Sequence, residues 1–181
     1  MTLTHQKIEP WLKSMKITNY TIRPDGIIDV DGNVDLYNFK VTTLPVQFGN
    51  VTGDFYCYHT KITSLAGCPS NVGGGFYCHN TQITSLQGAP STVGGHFSCN
   101  NTKITSLTGI HKQIKHIGRN FYCDRTVTHI LGVLLIKGIT NIGIDDGGPI
   151  DRIMNKYIGT GNVIMAQDEL IDAGFIEQAK L

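Results

Sequence analysis

The chain repeats itself, and the repeat governs what it can fold into. "GGGFYCHNTQITSLQGAP" from Gly73 returns with small changes as "GGHFSCNNTKITSLTGI" from Gly94. Phe55, Phe76, Phe97 and Phe121 head four such segments, at steps of 21, 21 and 24 residues. Each is followed two positions later by a cysteine: Cys57, Cys78, Cys99 and Cys123. Val51, Val72, Val93 and Ile117 each stand four residues before the phenylalanine. Ile62, Ile83 and Ile104, then Leu65, Leu86 and Leu107, complete the first three units. The fourth unit has lost one residue in its middle, so Val127 and Ile130 take those places. Upstream, Val34, Leu36, Val41 and Leu44 fall on the same columns, giving five units from about residue 33 to 132. "LLIKGITNIGID" supplies a sixth half-unit. A unit this short cannot bury its own apolar face; stacked units share one continuous core.

Within a unit, F-x-C has a period of two, the mark of a short strand with one side inward. I-x-x-L then turns away on a bend, and Gly73-Gly74, Gly94-Gly95, Pro69 and Pro90 punctuate the return. The expectation is a leucine-rich-repeat-like solenoid over residues 33–144, with one short parallel strand per coil of about 21 residues. Residues 1–32 are expected to cap one end. Ile8, Trp11, Leu12 and Met15 have helical spacing, and Ile17 to Leu36 alternate between "PDG" and "DG" turns as a β-meander. Residues 145–181 are expected to cap the other. Pro149 opens a helix burying Ile150, Ile153, Met154, Tyr157 and Ile158, and Asn162 caps a second with Val163, Leu170 and Ile171 inward, ending at Gly174. A second reading makes residues 149–181 the surface of a homo-oligomer.

The columns carry a resemblance. Phe97, Cys99, Thr102, Ile104 and Leu107 follow the leucine-rich pattern, with threonine where asparagine is usual. Thr60, Thr81, Thr102 and Thr126 hold that slot in four units and Phe39 in the first, and a threonine hydroxyl reaches fewer backbone groups than an amide. "GNVDLYNF", "LPVQFGNVTGDFYC" and "NKYIGTGNVIMAQDELIDAGF" resemble small leucine-rich-like proteins encoded by tailed bacteriophages. That resemblance implies a viral origin and supplies no activity.

Charge and cysteine usage narrow the classes further. The formal net charge is +1 with no run of lysines and arginines, which argues against nucleic acid as the main partner. No apolar run approaches the roughly 18 residues of a membrane span. The opening "MTLTHQKIEPWLKSMKI" lacks the pattern of a signal peptide, and five cysteines without a CxxC pair suit a reduced cytosol.

Four cysteines in register near His59, His79 and His96 suggest a metal array at first sight. Zinc needs its ligands around one point, whereas thiols recurring once per coil form a ladder about 5 Å apart. The ladder is therefore packing, and Cys68, outside it, is the better placed thiol to react. "DVDGNVD" (Asp29, Asp31, Asn33, Asp35) resembles a calcium loop but lacks the glutamate at its twelfth position; an Asp-Gly hairpin accounts better for it. Asp145 and Asp146 form an acidic pair with no catalytic partner placed by any motif. No catalytic residue, metal or cofactor is assigned.

What remains is the outward side of the strands. If Phe and Cys point in, the alternate residues point out. Those columns read Asp35, Tyr56, Tyr77, Ser98, Tyr122; then Tyr37, Tyr58, His79, Asn100, Asp124; then Asn33, Asp54, Gly75, His96, Asn120. Tyr37, Tyr56, Tyr58, Tyr77, His79, His96 and Tyr122 are the candidate binding residues, since tyrosine gives large contact area at low entropic cost. The function expected is a non-catalytic protein-binding module in the host cytoplasm, gripping a host-encoded protein, with a defence-related one as the specific candidate. The alternatives are a virion or assembly component joined through its C-terminal helices, and a small-ligand binder.

Overall fold

The structure, a computed structural model, describes residues 5–144 and 146–181. Each coil of the array contributes two strands rather than one. The valine column lies in β2 (Ile28–Val30), β4 (Phe48–Val51), β6 (Asn71–Val72), β8 (Thr92–Val93) and β10 (His116–Ile117). The phenylalanine column lies in β3 (Val34–Asp35), β5 (Phe55–Tyr56), β7 (Phe76–Tyr77), β9 (Phe97–Ser98), β11 (Asn120–Tyr122) and β12 (Asn141–Gly143). Two six-stranded sheets result, ordered β1-β2-β4-β6-β8-β10 and β12-β11-β9-β7-β5-β3, where β1 is Tyr20–Ile22. Apart from the antiparallel β1–β2 pair, every ladder is parallel. The molecule is a parallel β-solenoid of about six turns. Phe55, Phe76, Phe97, Phe121 and Ile142 are register partners in turn, so sequence columns become spatial columns.

The corner between the two strands explains the glycine pairs. A Cβ on Gly73 would lie 2.2 Å from the carbonyl oxygen of Thr52, on Gly94 2.1 Å from that of Gly73, and on Gly118 2.2 Å from that of Gly94. Successive coils touch backbone to backbone here, and a side chain would pry them apart.

Inside, Phe55, Phe76, Phe97 and Phe121 stack with ring centroids 5.3–5.7 Å apart, and Phe48 meets Phe55 edge-on at 5.5 Å. All five are fully buried, as are the Ile62/Ile83 and Leu65 positions beside them. Cys57, Cys78, Cys99 and Cys123 are free, buried thiols filling the next column. Cys68 is not placed as the reactive thiol expected: it is buried among the same core, and burial pushes its pKa well up, assisted by a hydrogen bond with Cys57. A thiol held protonated in an apolar site is a poor nucleophile.

After the aromatic strand the chain makes a left-handed step at Asn38, His59, Asn80 and Asn101 (φ 62°, 53°, 54° and 52°), residue types among those that tolerate it best. The threonine that follows closes the turn. Thr60 donates to the Cys57 carbonyl at 2.6 Å, Thr81 to Cys78 at 2.7 Å and Thr102 to Cys99 at 3.0 Å.

At the first end, helix α1 (His5–Ser14) lays Ile8 and Leu12 on the core, with Trp11 6.3 Å from Phe48. "PDG" is a true hairpin turn between β1 and β2. "DG" at Asp31-Gly32 is not the hairpin expected, because β2 and β3 belong to different sheets and those residues form the corner between them. The 24-residue step admits α2 (Ile110–Gln113), and the sixth half-unit forms as β12 after a 3₁₀ segment, Ile130–Leu135. Beyond it, α3 (Pro149–Lys156) and α4 (Val163–Asp172) bury Ile150, Met154, Ala166 and Leu170. Ile171 was expected inward and is 45% exposed; Ala166, one turn before Leu170, takes the inward place. The last residues return to the solenoid, where the amides of His129 and Ile130 donate to the carbonyls of Glu177 and Gln178. Among the described residues no helix is long and apolar enough to cross a membrane.

Candidate binding face

Parallel in-register pairing repeats every outward side chain one rung later, and aromatic rings in one column must then stack or splay. Here they stack. Tyr37, Tyr58 and His79 form one row, with centroids 4.8 and 4.6 Å apart and interplanar angles of 28° and 14°. Tyr56 and Tyr77 form a second row at 5.1 Å and 17°. The rows meet edge-on, Tyr56 with Tyr58 at 5.9 Å and Tyr77 with His79 at 6.4 Å. Five of the seven candidate residues are therefore one continuous cluster. His96 and Tyr122, 6.2 Å apart and tilted by 36°, make a separate pair further along the sheet.

Stacking decides how these rings meet the outside. Tyr37, at the start of its row, is 41% exposed, whereas Tyr56, Tyr58 and Tyr77 are half-buried. Neighbours cover one another's ring faces within each row, while Tyr37, stacked on one side only, borders a cavity of about 440 Å³ with Lys16, Asp35 and Phe39. The rung that interrupts it is small: Ser98 is buried, donates to Asn100 Oδ1 at 2.7 Å and lies 3.3 Å from His79 Nδ1.

The carboxylates on this face hold the face itself together. Asp54 Oδ2 accepts from the Tyr56 hydroxyl at 2.7 Å and Oδ1 from the Gly75 amide at 2.5 Å, while Asn33 Oδ1 accepts from the Asp54 amide at 2.8 Å. That hydrogen bond to Asp54, then burial, raises the Tyr56 pKa far above the ordinary phenol range. Burial lowers the pKa of His79 and the neighbouring His59 charge lowers it further, so the stacked imidazole favours its neutral form. Asn120 Nδ2 donates to the Tyr122 hydroxyl at 2.6 Å and fixes that ring in the same way.

Beside the aromatic cluster runs a polar row that the strand alternation did not single out. His59, Asn80 and Asn101, the residues of the left-handed step, hydrogen-bond in sequence: Asn80 Nδ2 lies 3.3 Å from His59 Nε2, and Asn101 Nδ2 donates to Asn80 Oδ1. Asparagine or histidine recurring just before the threonine was the available signal. At the far end of the sheet a cleft of about 660 Å³ opens beside Tyr122, Asp124 and Arg152. Its buried Asp151 is engaged by the amides of Ile144 (2.6 Å) and Gly147 (2.7 Å).

The residues of the acidic loop disperse. Asp29 pairs with Arg23 at 2.7 Å, Asp31 accepts from Thr52, Asn33 from Asp54, and Asp35 from the Tyr37 amide. Among the described residues no group of three or more His, Cys, Asp or Glu side chains is placed to hold a metal ion. Of the acidic pair, Asp145 lies outside the described residues. Comparison with protein-family models, curated proteins and solved structures finds no match. The functional reading rests on geometry.

Proposed function

We propose that this is a non-catalytic protein-binding module, a leucine-rich-like solenoid of bacteriophage origin capped at both ends, which engages a host protein in the host cytoplasm. The observation that carries the reading is the continuous cluster of Tyr37, Tyr56, Tyr58, Tyr77 and His79, stacked across successive rungs of one sheet. Such a surface is broad, aromatic and preorganised, the composition that concentrates binding energy at protein interfaces. The test is affinity capture from host lysate with wild type and with Tyr56→Ala/Tyr58→Ala/Tyr77→Ala, both checked for folding by circular dichroism. A host protein held by the first and lost by the second supports the reading; identical recovery overturns it.

One observation favours a second reading, assembly through the C-terminal helices. Ile164, Met165 and Ile171 on α4 are 71%, 54% and 45% exposed. If they join copies, the wild type elutes as an oligomer and Ile164→Asp/Ile171→Asp as a monomer in light scattering.

A further inference from the structure

The net charge of +1 conceals a marked segregation. Between Phe55 and Ile144 the chain has seven lysines and arginines (Lys61, Lys103, Lys112, Lys115, Arg119, Arg125, Lys137) and one acid, Asp124. The remaining thirteen acids all lie outside that segment. The three ion pairs among the described residues follow the same division: Arg23–Asp29, Lys156–Glu169 and Lys180–Glu177 all belong to the terminal segments. Every cation of the middle coils is left without a carboxylate partner among the described residues.

Three of these cations border the aromatic face. Lys61 and Lys103 occupy one column two rungs apart, exposed just past the His59/Asn80/Asn101 row. Arg119 is exposed on the opposite edge, at the corner before Asn120, and its charge is felt at Tyr77, where it opposes the upward push of burial and of the Asp54 charge on the phenol pKa. The carboxylates nearest the cluster keep their charge but form no ion pair with these cations, being hydrogen-bonded within the fold. Asp35 accepts from the Tyr37 amide, Asp54 from Tyr56 and Gly75, and Asp124 from the Asn101 amide at 2.9 Å.

We propose that the aromatic face and its cationic rim form one docking surface whose occupant is an acidic protein surface: aromatic contact at the centre, carboxylates opposite Lys61, Lys103 and Arg119 at the edges. This rests on the protein-binding reading above and specifies the partner's charge. Unpaired rim cations steer an oppositely charged partner and discriminate against basic ones. Nucleic acid fits less well. Its backbone tracks a single groove, and these cations stand on opposite edges of a sheet.

The test uses a fluorescein-labelled polyglutamate peptide of about 20 residues, titrated with the full chain and followed by anisotropy in roughly 50 mM salt. Two variants remove the same charge: Lys61→Gln/Lys103→Gln/Arg119→Gln at the rim, and Lys7→Gln/Lys13→Gln/Lys180→Gln at the two ends of the chain. The rim variant is expected to bind at least about fivefold more weakly, and the end variant to stay within about twofold of wild type. Absence of binding by wild type, or equal weakening in both variants, overturns the proposal. So does a single-stranded oligonucleotide of equal charge that binds more tightly than the peptide and is lost in the rim variant, since the occupant is then nucleic acid. Failure here beside a tyrosine-dependent capture from lysate removes only the acidic character of the partner. Failure of both removes the protein-binding reading itself.

Discussion

The solenoid carries two aromatic ladders built on the same rungs, one inside and one outside, and they obey different rules. The inner ladder is phenylalanine at every full rung from Phe55 to Phe121, with spacings confined to 5.3–5.7 Å. The outer rows begin in the same manner and then change: Tyr37, Tyr58, His79, Asn100, Asp124 in one column and Tyr56, Tyr77, Ser98, Tyr122 in the other. Close packing leaves the interior no freedom, since any departure opens a void or forces a clash. The exterior is under no such demand, so the side chains there can serve recognition. Uniform columns identify what holds the coils together, and varied columns what distinguishes one coil from another.

Substitution should separate the two ladders by magnitude. Phe76→Ala removes a buried ring stacked on both sides and is expected to cost about 3–5 kcal/mol in chemical denaturation. A loss under about 1 kcal/mol would mean that the inner ladder is not the core. Gly94→Ala brings a methyl against the Gly73 carbonyl and is expected to cost about 2 kcal/mol, although it removes no contact. Thr81→Val leaves the buried Cys78 carbonyl without its 2.7 Å donor, at about 1–2 kcal/mol. Tyr58→Ala, on the outer ladder, is expected to cost only about 1 kcal/mol, because the ring is half-exposed and loses two stacking partners rather than a cavity's worth of packing. A cost equal to that of Phe76→Ala would make the outer ladder structural as well.

The smallest effects are those of pH. His79 has a lowered pKa, so the stability its neutral ring contributes is present above the ordinary imidazole value of 6.5 and lost as pH falls below it. His79→Gln should flatten that acid limb of the melting temperature. Tyr56 has a raised pKa, so its contribution is intact below 10.0 and lost as pH climbs above that value. Tyr56→Phe should show a shallower alkaline decline than wild type.

Much of this architecture was legible because periodicity needs no three-dimensional knowledge: Phe, Cys, Ile and Leu at fixed spacing define the coil and its inward side. The second strand of each coil was not legible. It is two residues long in β6, β8 and β10, with one buried apolar side chain apiece, too little for any alternation to show. Asp31-Gly32 misled because a corner between sheets and a hairpin turn ask for the same residues. Cys68 misled because it stands outside the thiol column in sequence yet beside Cys57 in space. On the face, alternation placed the tyrosines outward correctly but carried nothing about the stacking that covers their rings. The segregation of charge was printed in the sequence and hidden by its sum.

The backbone contact at the glycine corner makes the molecule a ruler with discrete marks. Val72–Gly73 and Val93–Gly94 are the same junction one coil apart, with the same partners in the coil before. Excising residues 73–93 joins Val72 to Gly94 and brings Phe97 onto Phe55, every column still in step. Such a chain is shorter by one strand spacing, about 4.8 Å, and has lost Tyr77 and His79 but no type of contact. The reach of the aromatic face is in this sense countable: it changes by whole coils, each deletion or duplication of a 21-residue phrase rewriting what the face displays while the interior stays closed.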